Sequence, residues 1–203
     1  MTWTKAKKAM VIGACVLAAG TTAITLCNLE RPIRSIPTDW SVISGEREQW
    51  KWANGKINAH STMGDSILAS SKQYGDVTLS AIASTTNREA SLAIRLQDAN
   101  NGYLIIFAPA GTHRADAGHI SLIKKTNKKK VTLATYLGRM FFTLGPSVKI
   151  TVTARGPLIE VRLNNVSVLK VVDRTYAAGL IGLRIIGEPD FPCDATFASI
   201  TFH

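Results

Sequence analysis

Several kinds of side chain in this sequence could do chemistry, and each sits in a pattern that limits what it could do. Glu89, Asp98, Glu160 and Asp173 are the carboxylates nearest to strand-like segments. A pair of carboxylates about 5 to 10 Å apart across a sugar ring is what glycoside hydrolysis requires. Glu89, Asp98 and Asp173 are therefore the catalytic candidates, although their scatter along the chain selects no pair. Arg95 and Arg184 each interrupt an otherwise apolar segment. With Asp98, Tyr103 and Trp52 they form a ligand-binding set: planar donors and a carboxylate can bond hydroxyl groups, and an aromatic ring can cover a sugar face. The plain alternative pairs Arg95 with Glu89 or Asp98 across strands as a solvated charge pair.

Lys124, Lys125, Lys128, Lys129 and Lys130, followed by Arg139, form a basic run without an acid. It reads as a polyanion patch or as a lysine-protected hairpin edge. No aromatic residue interleaves the lysines, so a single-strand nucleic-acid groove is not indicated and no nucleic-acid partner is expected. Asp98, Asn100 and Asn101 before Gly102 offer oxygen ligands, but calcium wants more carboxylate than this, and an Asx-rich turn accounts for the same residues. His60, His113, His119 and His203 lack metal-site spacing, no CxxC occurs, and no metal or other cofactor is expected. Gly64-Asp65-Ser66 and Gly145-Pro146-Ser147 are not nucleophile elbows.

The elements that must position these residues are short strands. Trp50-Lys51-Trp52, Asn54-Gly55 and Lys56 to His60 read as a hairpin with a primed turn. Apolar and polar residues alternate over Val77–Ser84, Ser91–Gln97 and Val148–Thr153. Further strands are expected at Gly102–Ala108, Gly118–Lys125, Lys130–Tyr136, Leu158–Leu163, Val166–Val172, Leu180–Ile186 and Thr196–Phe202. Tyr103 to Phe107 is apolar on both faces, as a central strand would be. About a dozen such strands and no helical period in the body predict an all-β, two-sheet antiparallel jelly-roll sandwich over residues 40–203.

In front of it, Lys5, Lys7 and Lys8 precede an uncharged run from Ala9 to Leu29, long enough as a helix to span a bilayer. Residues 1–29 thus read as an N-terminal hydrophobic helix, either a signal peptide or a transmembrane anchor, and residues 30–39 as a linker with Pro32 and Pro37. Either option makes the body extracytoplasmic, with the membrane as a partner through the N-terminal segment. Cys15 and Cys27 lie in the apolar run, which leaves Cys193 without an intradomain partner.

A family resemblance is carried by Trp52, Asn54-Gly55-Lys56-Ile57, Ser66-Ile67-Leu68, Tyr74-Gly75-Asp76-Val77-Thr78-Leu79, Arg95, Asp98, Asn101-Gly102-Tyr103, Ile159 to Asn164, Gly179 to Arg184 and Phe197 to Phe202. From Trp50 to Phe202 the chain resembles the concanavalin A-like jelly-roll domains grouped as 3-keto-disaccharide hydrolase domains, with laminin G-like and fructan-binding modules as relatives. The resemblance implies a saccharide ligand and a place outside the cytoplasm. The Glu-x-Asp-x-x-Glu strand of jelly-roll glucanases is absent. The expected function is a non-catalytic carbohydrate-binding module; hydrolysis of a 3-keto-disaccharide and a structural or protein-interaction role are the alternatives.

Composition fits this division. The 203 residues carry 24 Lys+Arg and 14 Asp+Glu, a formal charge of +10, with 46% hydrophobic residues, which excludes a disordered chain. Residues 1–34 contribute five basic residues and one acid, and Lys124 to Arg139 contribute six basic residues. The rest of the body balances to zero.

Overall fold

The computed structural model describes residues 39–86, 88–108, 118–137 and 147–203. The expected hydrophobic helix over 1–29, the linker before Asp39, and His113 and Arg139 of the sequence reading lie outside the described residues.

Two antiparallel seven-stranded sheets make up the described body. The first contains β1 (Trp40–Ser44), β4 (Gly64–Tyr74), β13 (Gly179–Gly187), β6 (Ala90–Asp98), β7 (Asn101–Ala108), β8 (His119–Thr126) and β9 (Lys129–Leu137), in that spatial order. The second runs β12 (Val166–Val172), β11 (Leu158–Leu163), β10 (Val148–Arg155), β5 (Val77–Thr85), β14 (Cys193–Phe202), β3 (Lys56–Ser61) and β2 (Trp50–Ala53). One short 3-10 turn, Arg47–Gln49, accompanies them. The architecture is the jelly-roll sandwich expected from the alternating pattern.

Local sequence explains most of the ladder. The β2–β3 turn has Asn54 and Gly55 both at positive φ, 53° and 72°, which is the primed geometry that Asn-Gly tolerates. The β8–β9 and β11–β12 turns use Asn127-Lys128 and Asn164-Asn165 in the same left-handed region. Between the sheets lies one core, to which Leu79, Ile105, Ile150, Val161, Leu183 and Phe197 contribute. Phe107 of one sheet meets Phe197 of the other edge to face, with ring centroids 6.3 Å apart.

The central strands of the first sheet carry buried side chains on both faces. Ile67, Ala69, Ala93, Leu96, Leu104 and Ile106 form a second buried cluster on its outer face. β7 is buried along nearly its whole length, which is why its sequence shows no alternation. β4 has the same character, and its buried run Ser66–Ser70 likewise escapes a period-two reading. β1 and β4 are the strands that neither alternation nor a continuous apolar run assigns.

Candidate functional site

The geometry of the site begins with an irregularity in β6. Gly182 pairs with Ala93 and Leu180 with Leu96, so Ile94 and Arg95 together oppose Ile181. Arg95 sits at φ 51°, and the strand bulges there. The side-chain period slips by one residue. Ile94 belongs to the core between the sheets, whereas Leu96 joins the outer cluster. Simple alternation puts Arg95 on the polar face with Ser91 and Gln97; the bulge instead turns it toward one end of the sandwich.

There Arg95 is 1% exposed. Its Nε donates to the Gly75 carbonyl at 3.1 Å, and its Nη1 donates to the Tyr176 carbonyl at 3.1 Å. Its partner in charge is Asp76, at 3.6 Å from Nη2, rather than Glu89 or Asp98. The buried Nη2 makes no hydrogen bond among the described residues. Asp76 Oδ1 in turn accepts the Gly156 N–H at 2.8 Å.

Beside Arg95 stands a network centred on Asp173. Its Oδ1 accepts the Tyr103 hydroxyl at 2.6 Å and the Thr175 N–H at 2.9 Å. Its Oδ2 accepts Lys124 Nζ at 2.7 Å. Burial opposes the charge on this carboxyl, but the Lys124 ammonium and the hydrogen bonds from Thr175 and Tyr103 outweigh it and hold the pKa far below the usual carboxylate range. The Tyr103 hydroxyl, desolvated and donating to that carboxylate, is pushed up to about 12. The Tyr176 ring meets the Tyr103 ring edge to face at 5.5 Å. Arg95, Gly156, Pro157, Asp173, Arg174, Tyr176 and Ala177 line a cavity of about 300 Å³ at this end. It brings together two guanidinium residues, an ionised carboxylate and a tyrosine, the chemistry that polyhydroxylated ligands need.

The other sequence candidates divide among separate places. Arg184 is fully buried on the outer face of the first sheet, where its Nη2 forms a short ion pair with Asp65 and its Nη1 lies 3.5 Å from Ser91 Oγ. Lys125 reaches the same carboxylate at 3.3 Å and the Ala99 carbonyl at 2.7 Å. Three strands separate β4 from β8, so a flat sheet would part their backbones by about 19 Å. The sheet therefore curls, and its outer face is concave. Burial opposes ionisation of Asp65, yet Arg184 and Lys125 keep its pKa lowered. Lys130, opposite Lys125 in the β8–β9 ladder, is lowered by burial and by the nearby Arg184. The basic run is thus split by strand alternation. Lys124 serves the Asp173 network, Lys125 serves the concave face, and Lys128, Lys129 and Lys130 are exposed at the hairpin end.

Asp98 is taken up by its own turn, where its oxygens accept the Asn100 N–H at 2.6 Å and Asn101 Nδ2 at 2.9 and 3.0 Å. Glu89 precedes β6 and Asp98 ends it, roughly 30 Å away at strand rise. Trp52 packs against the core between the sheets. Trp50 is buried and donates its indole N–H to Ser66 Oγ at 2.7 Å. Among the described residues no cluster of three His, Cys, Asp or Glu side chains has the arrangement of a metal site.

Sequence reading missed Asp65, Asp76, Arg174 and Tyr176. Asp65 and Arg184 are 119 residues apart and Arg95 and Tyr176 are 81 apart, and no local pattern links them.

No family pattern matches this sequence, and no curated protein matches it. Solved structures do resemble the fold. The carbohydrate-binding module CBM66 from Bacillus subtilis superposes with a TM-score of 0.66 at 20% identity, over 85% of this chain and 99% of that one. The Emp47p carbohydrate recognition domain gives 0.61 at 13% identity over 83% and 90%. The Bacillus licheniformis beta-glucanase gives 0.60 at 11% over 83% and 94%. At these identities the likeness is one of fold, and the chain has the two-sheet jelly roll that these structures share.

Proposed function

We infer that this protein is an extracytoplasmic carbohydrate-binding module whose ligand enters the cavity at the Arg95 end of the sandwich. One observation carries the reading: Arg95, Arg174, the ionised Asp173 and Tyr176 line one cavity of about 300 Å³. Buried donors and acceptors fixed by the backbone recognise hydroxyl groups without reorganising, which favours binding. The fold's resemblance to a carbohydrate-binding module and a carbohydrate recognition domain supports the same reading. The basic and apolar pattern of residues 1–29 supports export or anchoring, with the sandwich outside the cytoplasm.

A glycan array with the full chain tests the binding. The expected result is retention of one saccharide class, lost in Tyr176→Ala and in Arg95→Lys. Absence of binding to every neutral and acidic glycan would overturn it. A reporter active only in the cytoplasm, fused after His203, should stay silent.

The concave face supports a second reading, as a hydrolase related to the 3-keto-disaccharide group. Asp65 pairs with Ile186, and Ile185 pairs with Ala90, so Glu89 stands two strands from Asp65, roughly 10 Å across. That spacing is near the range for an inverting pair. Release of reducing sugar from a 3-keto-glycoside, abolished in Glu89→Gln, would favour this reading over non-catalytic binding.

A further inference from the structure

The charges around the Arg95 cavity are not balanced, and this bears on the class of saccharide it takes; the inference rests on the carbohydrate-binding reading above. Asp173 is neutralised by Lys124 at 2.7 Å. Arg95 has only Asp76, which is 3.6 Å from Nη2, 68% exposed, and already accepting the Gly156 N–H. Water screens such a carboxylate, so the buried guanidinium leaves uncompensated positive charge beside the cavity. Arg174 also lines the cavity, is exposed, and pairs with no carboxylate among the described residues. Tyr176 links the cavity to the lysine hairpin. Its hydroxyl donates to the Lys125 carbonyl at 2.9 Å and lies 3.0 Å from Thr126 Oγ1. The exposed Lys128 and Lys129 follow directly in that hairpin.

We propose that the ligand is an anionic saccharide: an acidic group on one sugar takes the exposed guanidinium of Arg174, in the field of the buried Arg95, and the chain leaves past Tyr176 toward Lys128 and Lys129. Guanidinium groups suit this role because their planar donors match the oxygens of a carboxylate or sulfate. Charge-assisted bonds of this kind discriminate an acidic from a neutral sugar by about tenfold or more.

Calorimetric titration of the full chain tests the proposal with oligogalacturonate, hyaluronan tetrasaccharide and chondroitin sulfate tetrasaccharide as acidic probes and galactotriose as the neutral one. The expected result is binding of at least one acidic probe about tenfold tighter than galactotriose, weakening severalfold as salt rises from roughly 0.05 M to roughly 0.5 M. Preference for the carboxylated or the sulfated probe identifies the anion. Arg174→Gln, an exposed site, should abolish the preference while the melting temperature stays unchanged. Lys128→Gln with Lys129→Gln should weaken longer acidic chains more than short ones. Galactotriose binding as tightly as every acidic probe would overturn the anionic assignment and leave the carbohydrate reading standing. Failure of all four probes, with a neutral glycan retained on the array, would also overturn it; failure of every glycan would remove both.

Discussion

Removing the charge of Asp65 should damage this protein far more than removing that of Arg184, although the two are partners. Arg184 is completely buried and Lys125 is 8% exposed at its side chain, and both depend on a carboxylate that is itself 25% exposed. Asp65→Asn leaves two buried cations without a counter-charge, a change that costs about 3–5 kcal/mol when a buried pair is broken from one side. Arg184→Met replaces a buried cation by an apolar chain of similar length and leaves Asp65 with Lys125 and partial access to water. Its expected cost is about 1 kcal/mol, within the range for loss of a partly exposed pair. For a body of this size each kcal/mol moves the melting temperature by about 2–4 °C, so Asp65→Asn should lower it by about 10 °C and Arg184→Met by only a few degrees. Thermal unfolding followed by circular dichroism measures both.

The pH dependence has a definite sign. The folded pKa of Asp65 is depressed, so its contribution is fully present above the unfolded value near 4 and is lost as pH falls through the lower folded value. The wild type should lose more stability between neutral and acidic pH than Asp65→Asn does. Equal melting temperatures for the two variants, or a greater loss in Arg184→Met, would show that Asp65 is not the counter-charge on which both cations depend.

Gly179→Ala should destabilise the fold by about 2 kcal/mol or more and weaken ligand binding with it, as a methyl there would stand 2.5 Å from the Arg95 carbonyl carbon and the Leu96 oxygen at the bulge; unchanged melting and binding would count against the bulge as the device that aims Arg95. Tyr103→Phe removes the hydroxyl that bonds Asp173 and should cost about 1–2 kcal/mol. In the wild type, ultraviolet titration should show one tyrosine ionising near 12, absent from that variant. Lys124→Met should raise the Asp173 pKa toward the ordinary range; because that pKa is depressed in the wild type, the stability it supplies above about pH 4 and loses on acidification should shrink in the variant, as seen in urea unfolding at two pH values.

The strand ladder was legible because its causes are local. Asn54-Gly55 specifies its own turn, and the alternation in β10 and β11 follows from one face meeting the core. The splitting of Lys124 from Lys125 was also available in principle, since neighbours on a strand point to opposite faces. The bulge was not. Nothing in Ile94-Arg95 announces a left-handed residue, and the bulge is set by how β6 meets β13, whose Gly179 leaves room for it. A missed slip of one residue moved Arg95 from a sheet face to the end of the sandwich. The pairing of Arg184 with Asp65 and the gathering of Asp76, Asp173 and Tyr176 around Arg95 depend on contacts far apart in sequence, which a single chain read in order does not display.

The proposed function places a saccharide in the Arg95 cavity. Chemical-shift mapping of the isotope-labelled full chain, titrated with the glycan it retains, tests this most directly. Saturable shifts are expected at Gly75, Asp76, Arg95, Gly156, Asp173 and Tyr176, with the Arg95 side-chain Nε–H among them. Shifts confined to Asp65, Ser91 and Arg184 on the concave face would contradict it.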